Sequence, residues 1–152
     1  MPLEQDVKQK FTNEYQKVLV NILFTSSWLN QKNSGHLKKY NLTPEQFNVL
    51  RILRGSHPEP LRLTDIADRM IEKNSNCTRL VEKLRVKELV NRELNPSNRR
   101  QVKISITRAG LKLLSEIDNE YSQWLAMLQG ISETEARELN RLLDKLRDKP
   151  TH

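Results

Sequence analysis

The sequence predicts a mainly α fold with one small β-hairpin, on three observations. Apolar residues recur every three or four positions over long stretches near both ends of the chain, the mark of amphipathic helices. Between them, helix-start signatures follow one another at short intervals, beginning with Thr43-Pro44-Glu45-Gln46. Only around residues 89–107 does the period change to strict alternation, with Val102, Ile104 and Ile106 to one side and Lys103 and Ser105 to the other.

Taken in order, Val7, Phe11, Tyr15, Val18, Leu19, Ile22 and Leu29 make one stripe on a helix over residues 4–30. The polar run QKNSG (31–35) reads as a break, followed by a short helical piece around His36–Tyr40. Thr43 then caps a helix, with Pro44 at its first position, Gln46 closing a capping box, and Phe47, Leu50 and Leu53 on one face. GSHPEP (55–60) is a loop, because two prolines and a glycine cannot continue a helix. LRL (61–63) fits a strand of minimal length, and Thr64 is the expected cap of DIADRMI (65–71), with Ile66, Ala67 and Met70 inward. After the polar EKNSN (72–76) comes a helix to about Lys87, with Cys77, Leu80, Val81 and Leu84 as its stripe. LVNRELN and QVKISIT bracket PSNRR as a hairpin whose turn is Asn95-Pro96-Ser97-Asn98. Thr107 caps a last long helix bearing Leu111, Leu114, Ile117, Tyr121, Trp124 and Leu128; Gly130 interrupts it, and a Ser132/Glu135 capping box restarts it.

Two helices joined by a short turn and followed by a hairpin make a winged helix-turn-helix, here over residues 43–107. The flanking helices, 4–40 and 108–148, carry stripes too long for a small domain to bury alone. They are expected to pair with those of a second copy in a two-fold homodimer, the 152 residues forming one domain. The single cysteine, Cys77, excludes an intrachain disulfide and suits a reducing compartment. Without a signal-like N-terminus or an apolar run near ~18 residues, the expectation is a cytoplasmic protein off the membrane.

Residues 69–108 hold 11 basic and 4 acidic side chains, a surplus equal to the net charge of +7 on the whole chain. Positive charge concentrated on one segment is the footprint of a polyanion partner. In a helix-turn-helix the second helix enters the major groove of double-stranded DNA with its N-terminal residues at the base edges. Opposite the stripe of that helix stand Ser75 and Arg79, with Asn76, Thr78 and Lys83 on the flanks. Arginine binds guanine with two hydrogen bonds, Asn pairs with adenine, and Ser or Thr serves bases or phosphates. Glu82 faces outward too, to accept from cytosine or to neutralise Lys83 or Arg79. Arg99 and Arg100 on the hairpin suit the flanking minor groove, whose narrow A·T-rich form attracts inserted arginines.

Across LTPEQFNVLRIL, LTDIADRM, CTRLVEKLRVKELVNR and NPSNRRQVKISITRAG, the chain resembles the winged helix of the multiple-antibiotic-resistance regulator (MarR) family. The resemblance implies a bacterial homodimeric transcription regulator on a short pseudo-palindromic operator, paired through its first and last helices. It also implies a repressor released by a small, often phenolic or anionic, effector or by an oxidant. By position, Arg100 matches the minor-groove arginine and Arg99 a phosphate contact. Two positions depart from the family pattern: Asn98 replaces the usual aspartate before the wing cations, and Glu88 replaces the glycine that ends the recognition helix.

Trp28, His36 and Tyr40 lie near the junction where family members bind effectors, with ordinary packing as the alternative. Cys77 could serve as an oxidant sensor, but its place on the apolar stripe favours a buried thiol. No metal or cofactor is expected, since His36 and His57 lack neighbouring ligands at metal spacing. Enzymatic motifs are missing, and the acidic pairs Glu72/Glu82 and Asp65/Asp68 fall on solvated faces. The competing reading is a winged-helix protein-interaction module with neither operator nor effector.

Overall fold

Start and stop signals set most helix boundaries in the computed structural model, which describes residues 1–148 and, for Arg99 and Arg100, the backbone alone. The architecture is a mainly helical winged helix with a three-stranded antiparallel sheet, and the chain divides into two compact units that meet after Leu114.

The first unit opens with a short helix α1 (Leu3–Val7) and a long α2 (Glu14–Lys38), where the sequence predicts one helix over 4–30. Lys8 turns left-handed (φ 52°), and Asn13 restarts the chain by accepting from Gln16 N at 2.8 Å. A local cap overrides the apolar period there. In contrast, QKNSG stays helical, so the piece around His36–Tyr40 is the end of α2 and its exit. Without proline in that run nothing removes a ladder bond, and one glycine costs only about 1 kcal/mol. The stop comes at Asn41 (φ 55°), beyond Leu37, whose carbonyl receives Tyr40 N and Leu42 N.

α3 (Pro44–Ser56) begins with the expected capping box: Gln46 N donates to Thr43 Oγ1 and Thr43 N to Gln46 Oε1, both at 3.2 Å. It is the central helix, burying Val49, Leu50 and Leu53, while Phe47 is only half-buried. β1 (Leu61–Arg62) leads directly into α4 (Leu63–Arg69). Asp65 caps α4 by accepting from Arg62 N at 3.1 Å, so the cap position is Arg62 and not Thr64. The same carboxylate takes two bonds from the Arg62 guanidinium, which lets it outcompete a hydroxyl. α5 (Cys77–Val86) follows, then β2 (Val90–Asn95) and β3 (Asn98–Ile106). The sheet order is β1-β3-β2, with Leu61 opposite Ile104 and Val90 opposite Ile106. Leu37, Ile66, Met70, Leu84, Val90 and Ile104 close the core around α3, each apolar side chain contributing about 1.5–3 kcal/mol of burial.

α6 (Arg108–Leu125) starts at Thr107, whose hydroxyl accepts from Gly110 N at 3.0 Å and donates to Glu88 O at 2.8 Å. A Cβ on Gly110 would stand 2.5 Å from Leu89 O, so only glycine lets α6 begin this close to the end of α5.

The second unit, from Ser115 onward, contains the rest of α6, a 3-10 turn at Ala126–Leu128 and α7 (Glu133–Arg147). Ser132 and Glu135 form the expected capping box at the start of α7. Tyr121 stacks on Trp124 with ring centroids 6.1 Å apart. No residue of α7 is buried, and Leu139, Leu142 and Leu146 stand exposed at steps of three and four. Among the described residues no helix is long and apolar enough to cross a membrane.

Candidate nucleic-acid interface

α5 owes its placement to bonds on either side of it. Met70, 2% exposed, anchors the end of α4, and Asn48 on α3 accepts from Ile71 N at 2.9 Å, fixing the start of the turn. The turn then closes on itself, with Ser75 N donating to Glu72 O and Asn74 N to Glu72 Oε1, both at 3.2 Å. Asn76 caps α5 by accepting from Arg79 N at 3.1 Å. Its carboxamide oxygen is therefore occupied, while its NH₂ remains available as a donor. Ser75 is half-buried and its hydroxyl is out of solvent without a hydrogen-bond partner among the described residues, so its part in the turn is the backbone bond to Glu72 O.

Cys77, Val81 and Leu84 turn into the core, which leaves Thr78, Arg79 and Lys83 exposed on the opposite side. Arg79 and Lys83, four residues apart, share one helix face. Among the described residues neither has an acidic partner at ion-pair distance. Glu82, expected to neutralise one of them or to face a base, instead takes two bonds from Arg85 at 2.9 and 2.6 Å. The Arg85 guanidinium holds the Glu82 carboxyl below its ordinary range. That local pair removes the one acidic group that would have cancelled the exposed cations. Cys77 is buried, and burial pushes its thiol up, away from the thiolate that reacts with oxidants.

Lys87, another cation of the basic segment, is half-exposed and reaches back to the α2–α3 junction. Its Nζ donates to Asn41 O and, at 3.2 Å, to Gln46 Oε1; burial and the nearby Lys83 both push its pKa down.

The hairpin turns at Asn95–Asn98 as expected, although β3 begins at Asn98 and not at Gln101. Pro96 and Ser97 alone make the turn, with Asn95 opposite Asn98, and Asn95 Oδ1 accepts from Ser97 N at 3.0 Å and Ser97 Oγ at 2.8 Å. The register breaks between Leu94, opposite Val102, and Asn95. The backbone of Arg99–Gln101 is thus the extra length of β3 next to the turn, a bulge of the kind that re-aims side chains. The side chains of Arg99 and Arg100 lie outside the described residues. Arg92 and Lys103, on β2 and β3, are exposed further down the same hairpin.

Of the effector candidates, the structure brings His36 and Tyr40 together, rings edge to face at 6.0 Å. Trp28, 39% exposed, stands two turns earlier on α2 and does not join them. Among the described residues no group of three or more His, Cys, Asp or Glu could hold a metal ion. Asn48 and Lys87 escaped the sequence reading. An Asn in mid-helix has low helix propensity, and that was the only signal for the first.

Known proteins share this sequence pattern and fold. Residues 42–102 match the sequence profile of the MarR family. The transcriptional regulator MgrA of Staphylococcus aureus is 31% identical over 109 residues, 72% of this chain and 72% of its own length. MhqR of Bacillus subtilis, also a helix-turn-helix transcriptional regulator, is 29% identical over 119 residues, 78% of this chain and 81% of its own. Among solved structures, MepR of Staphylococcus aureus in complex with DNA superposes with a TM-score of 0.72 at 23% identity, covering 90% of this chain and 97% of that one.

Proposed function

This chain belongs to the MarR family of DNA-binding transcription regulators, which are not enzymes, and we propose that it reads a pseudo-palindromic operator as a homodimer. One observation carries the reading: the outward face of α5 presents Thr78, Arg79 and Lys83 with no acidic partner among the described residues. Arg79 is the base-reading cation, able to bind a guanine edge with two hydrogen bonds; Thr78, Lys83 and the Asn76 NH₂ take adjacent bases and phosphates. Ser75 contributes through the turn that aims them. Arg100 enters the flanking minor groove and Arg99 reaches phosphate.

Residues 43–107 serve DNA, and residues 4–40 and 108–148 serve pairing with a second copy. Exposed apolar residues support that assignment in each unit: Leu19, Leu23, Phe24 and Trp28 on α2, and Leu139, Leu142 and Leu146 on α7. Two copies related by a two-fold axis place their α5 helices in major grooves ~34 Å apart, one turn of duplex. The regulatory reading is a repressor released by a phenolic or anionic small molecule. The His36–Tyr40 ring pair is its nearest contact, and Trp28 is a contact only for a ligand extending two turns along α2.

Selection of bound fragments from the source genome tests the proposal. Enrichment of an inverted repeat with half-site centres about one helical turn apart is expected. Recovery of fragments without a shared motif at physiological salt would overturn it.

A further inference from the structure

The cation that does most for DNA reading without touching DNA is Lys87. It is the residue after α5, at the end remote from Thr78 and Arg79, about 12 Å along the helix from Arg79 at 1.5 Å per residue. Its ammonium donates to two acceptors on different segments. One is Asn41 O, in the left-handed turn (φ 55°) where α2 gives way to α3. The other is Gln46 Oε1, at 3.2 Å, and this oxygen also accepts from Thr43 N to close the capping box of α3. Gln46 is the buried polar residue of this core, 4% exposed. One side chain therefore ties the end of α5 to the exit of α2 and the start of α3.

Both acceptors are neutral, so no ion pair holds the ammonium there. Lys87 is half-exposed, and its contact with the junction rests on the two directed bonds, against the like charge of the nearby Lys83. An ammonium kept in such a place at the junction of three elements has a geometric task. Beside it, the α5-to-β2 turn passes through Glu88 in the left-handed region (φ 60°), so the backbone alone holds this end of α5 under strain.

Resting on the assignment of α5 as the recognition helix, we infer that Lys87 is a positioning residue for operator reading. It sets the angle of α5 against the α2–α3 turn and makes no contact with phosphate. Removing a lysine that neutralises phosphate weakens binding to all duplexes alike and lowers the salt slope by about one. A lysine that aims the helix affects only the duplex whose bases the helix must meet.

The test compares wild type, Lys87→Met, Lys87→Arg and Gln46→Leu by fluorescence anisotropy over a KCl series. Two probes are used: a duplex selected by the wild type from a random pool, and a scrambled duplex of the same composition. Lys87→Met should lose roughly tenfold affinity for the selected duplex, the scale of one hydrogen bond to a charged group, with an unchanged salt slope and less than about twofold loss on the scrambled one. Lys87→Arg, which keeps the donors, should recover most of the loss. Gln46→Leu, which removes one acceptor and leaves Lys87 in place, should lose less in the same direction, and it carries the test if Lys87→Met does not melt cooperatively. Equal loss on both duplexes with a slope lowered by about one would make Lys87 a phosphate contact and overturn the inference. Unchanged affinity on both would overturn it as well. If the wild type itself prefers neither duplex, the failure lies with the α5 assignment.

Discussion

Replacing Glu88 with glycine should stabilise the protein, although glycine usually does the opposite. Glu88 ends α5 with φ at 60°, where a Cβ crowds the carbonyl and costs about 1–2 kcal/mol. Glycine removes that crowding but loses about 0.5–1 kcal/mol more conformational entropy on folding, so the net gain should be about 0.5–1 kcal/mol. The backbone bonds survive the change, because Glu88 N still donates to Arg85 O and Glu88 O still accepts from Thr107 Oγ1. For a chain of this length the gain corresponds to about 1–4 °C in Tm. Glu88→Ala is the control: it removes the same carboxylate yet keeps the Cβ and its strain, so it should stay within about 0.5 kcal/mol of wild type. Urea unfolding followed by circular dichroism, with all three proteins at one concentration since any self-association would shift apparent stability, reads the order directly. A lower midpoint for glycine than for wild type, or an equal rise for alanine, would refute the reasoning.

Backbone packing, the α5 face and the buried thiol set three further outcomes. Gly110→Ala should cost about 1–3 kcal/mol, because its Cβ would meet Leu89 O, a backbone atom that cannot rotate away, whereas Gly35→Ala in open space on α2 should gain about 0.5–1 kcal/mol; thermal melts distinguish the two. Arg79→Ala should lose about 1–3 kcal/mol of discrimination at one base pair in competition binding, and Arg100→Ala should weaken A·T-flanked sites more than G·C-flanked ones. Cys77 should alkylate slowly in the native protein and at the free-thiol rate only in denaturant. Its raised pKa leaves its stability contribution intact below the ordinary thiol range and removes it as pH climbs through the raised value, so stability should decline in alkali. Rapid native alkylation at neutral pH would revive an oxidant-sensing role.

What was legible in the sequence was chiefly local chemistry. The Thr43/Gln46 and Ser132/Glu135 boxes, the Thr107 cap and the alternation of Val102, Ile104 and Ile106 each act within a few residues, and each stands as read. The misplaced boundaries are contests between two local signals. Asn13 beat an apolar stripe, Asp65 with Arg62 beat the Thr64 hydroxyl, and an uninterrupted ladder beat the polar appearance of QKNSG. Within the site, the direction of Arg79 and Lys83 followed from the helical period. The turn of Lys87 toward Asn41 and Gln46 depends on atoms far away in sequence, which no local pattern encodes. Glu88 was legible as an exception to the family pattern, and its left-handed backbone is the physical content of that exception.

The proposed DNA-holding surface is the exposed cationic face of α5. Its most direct test is the affinity of wild type and of the Thr78→Ala/Arg79→Ala/Lys83→Ala protein for one selected duplex, measured across a salt series. Expected are a steep fall of wild-type affinity with salt, a triple variant weakened at every concentration, and a log–log slope lower by up to about two, one for each lost cation that meets phosphate. A triple variant that binds the same duplex with wild-type affinity and slope would contradict it.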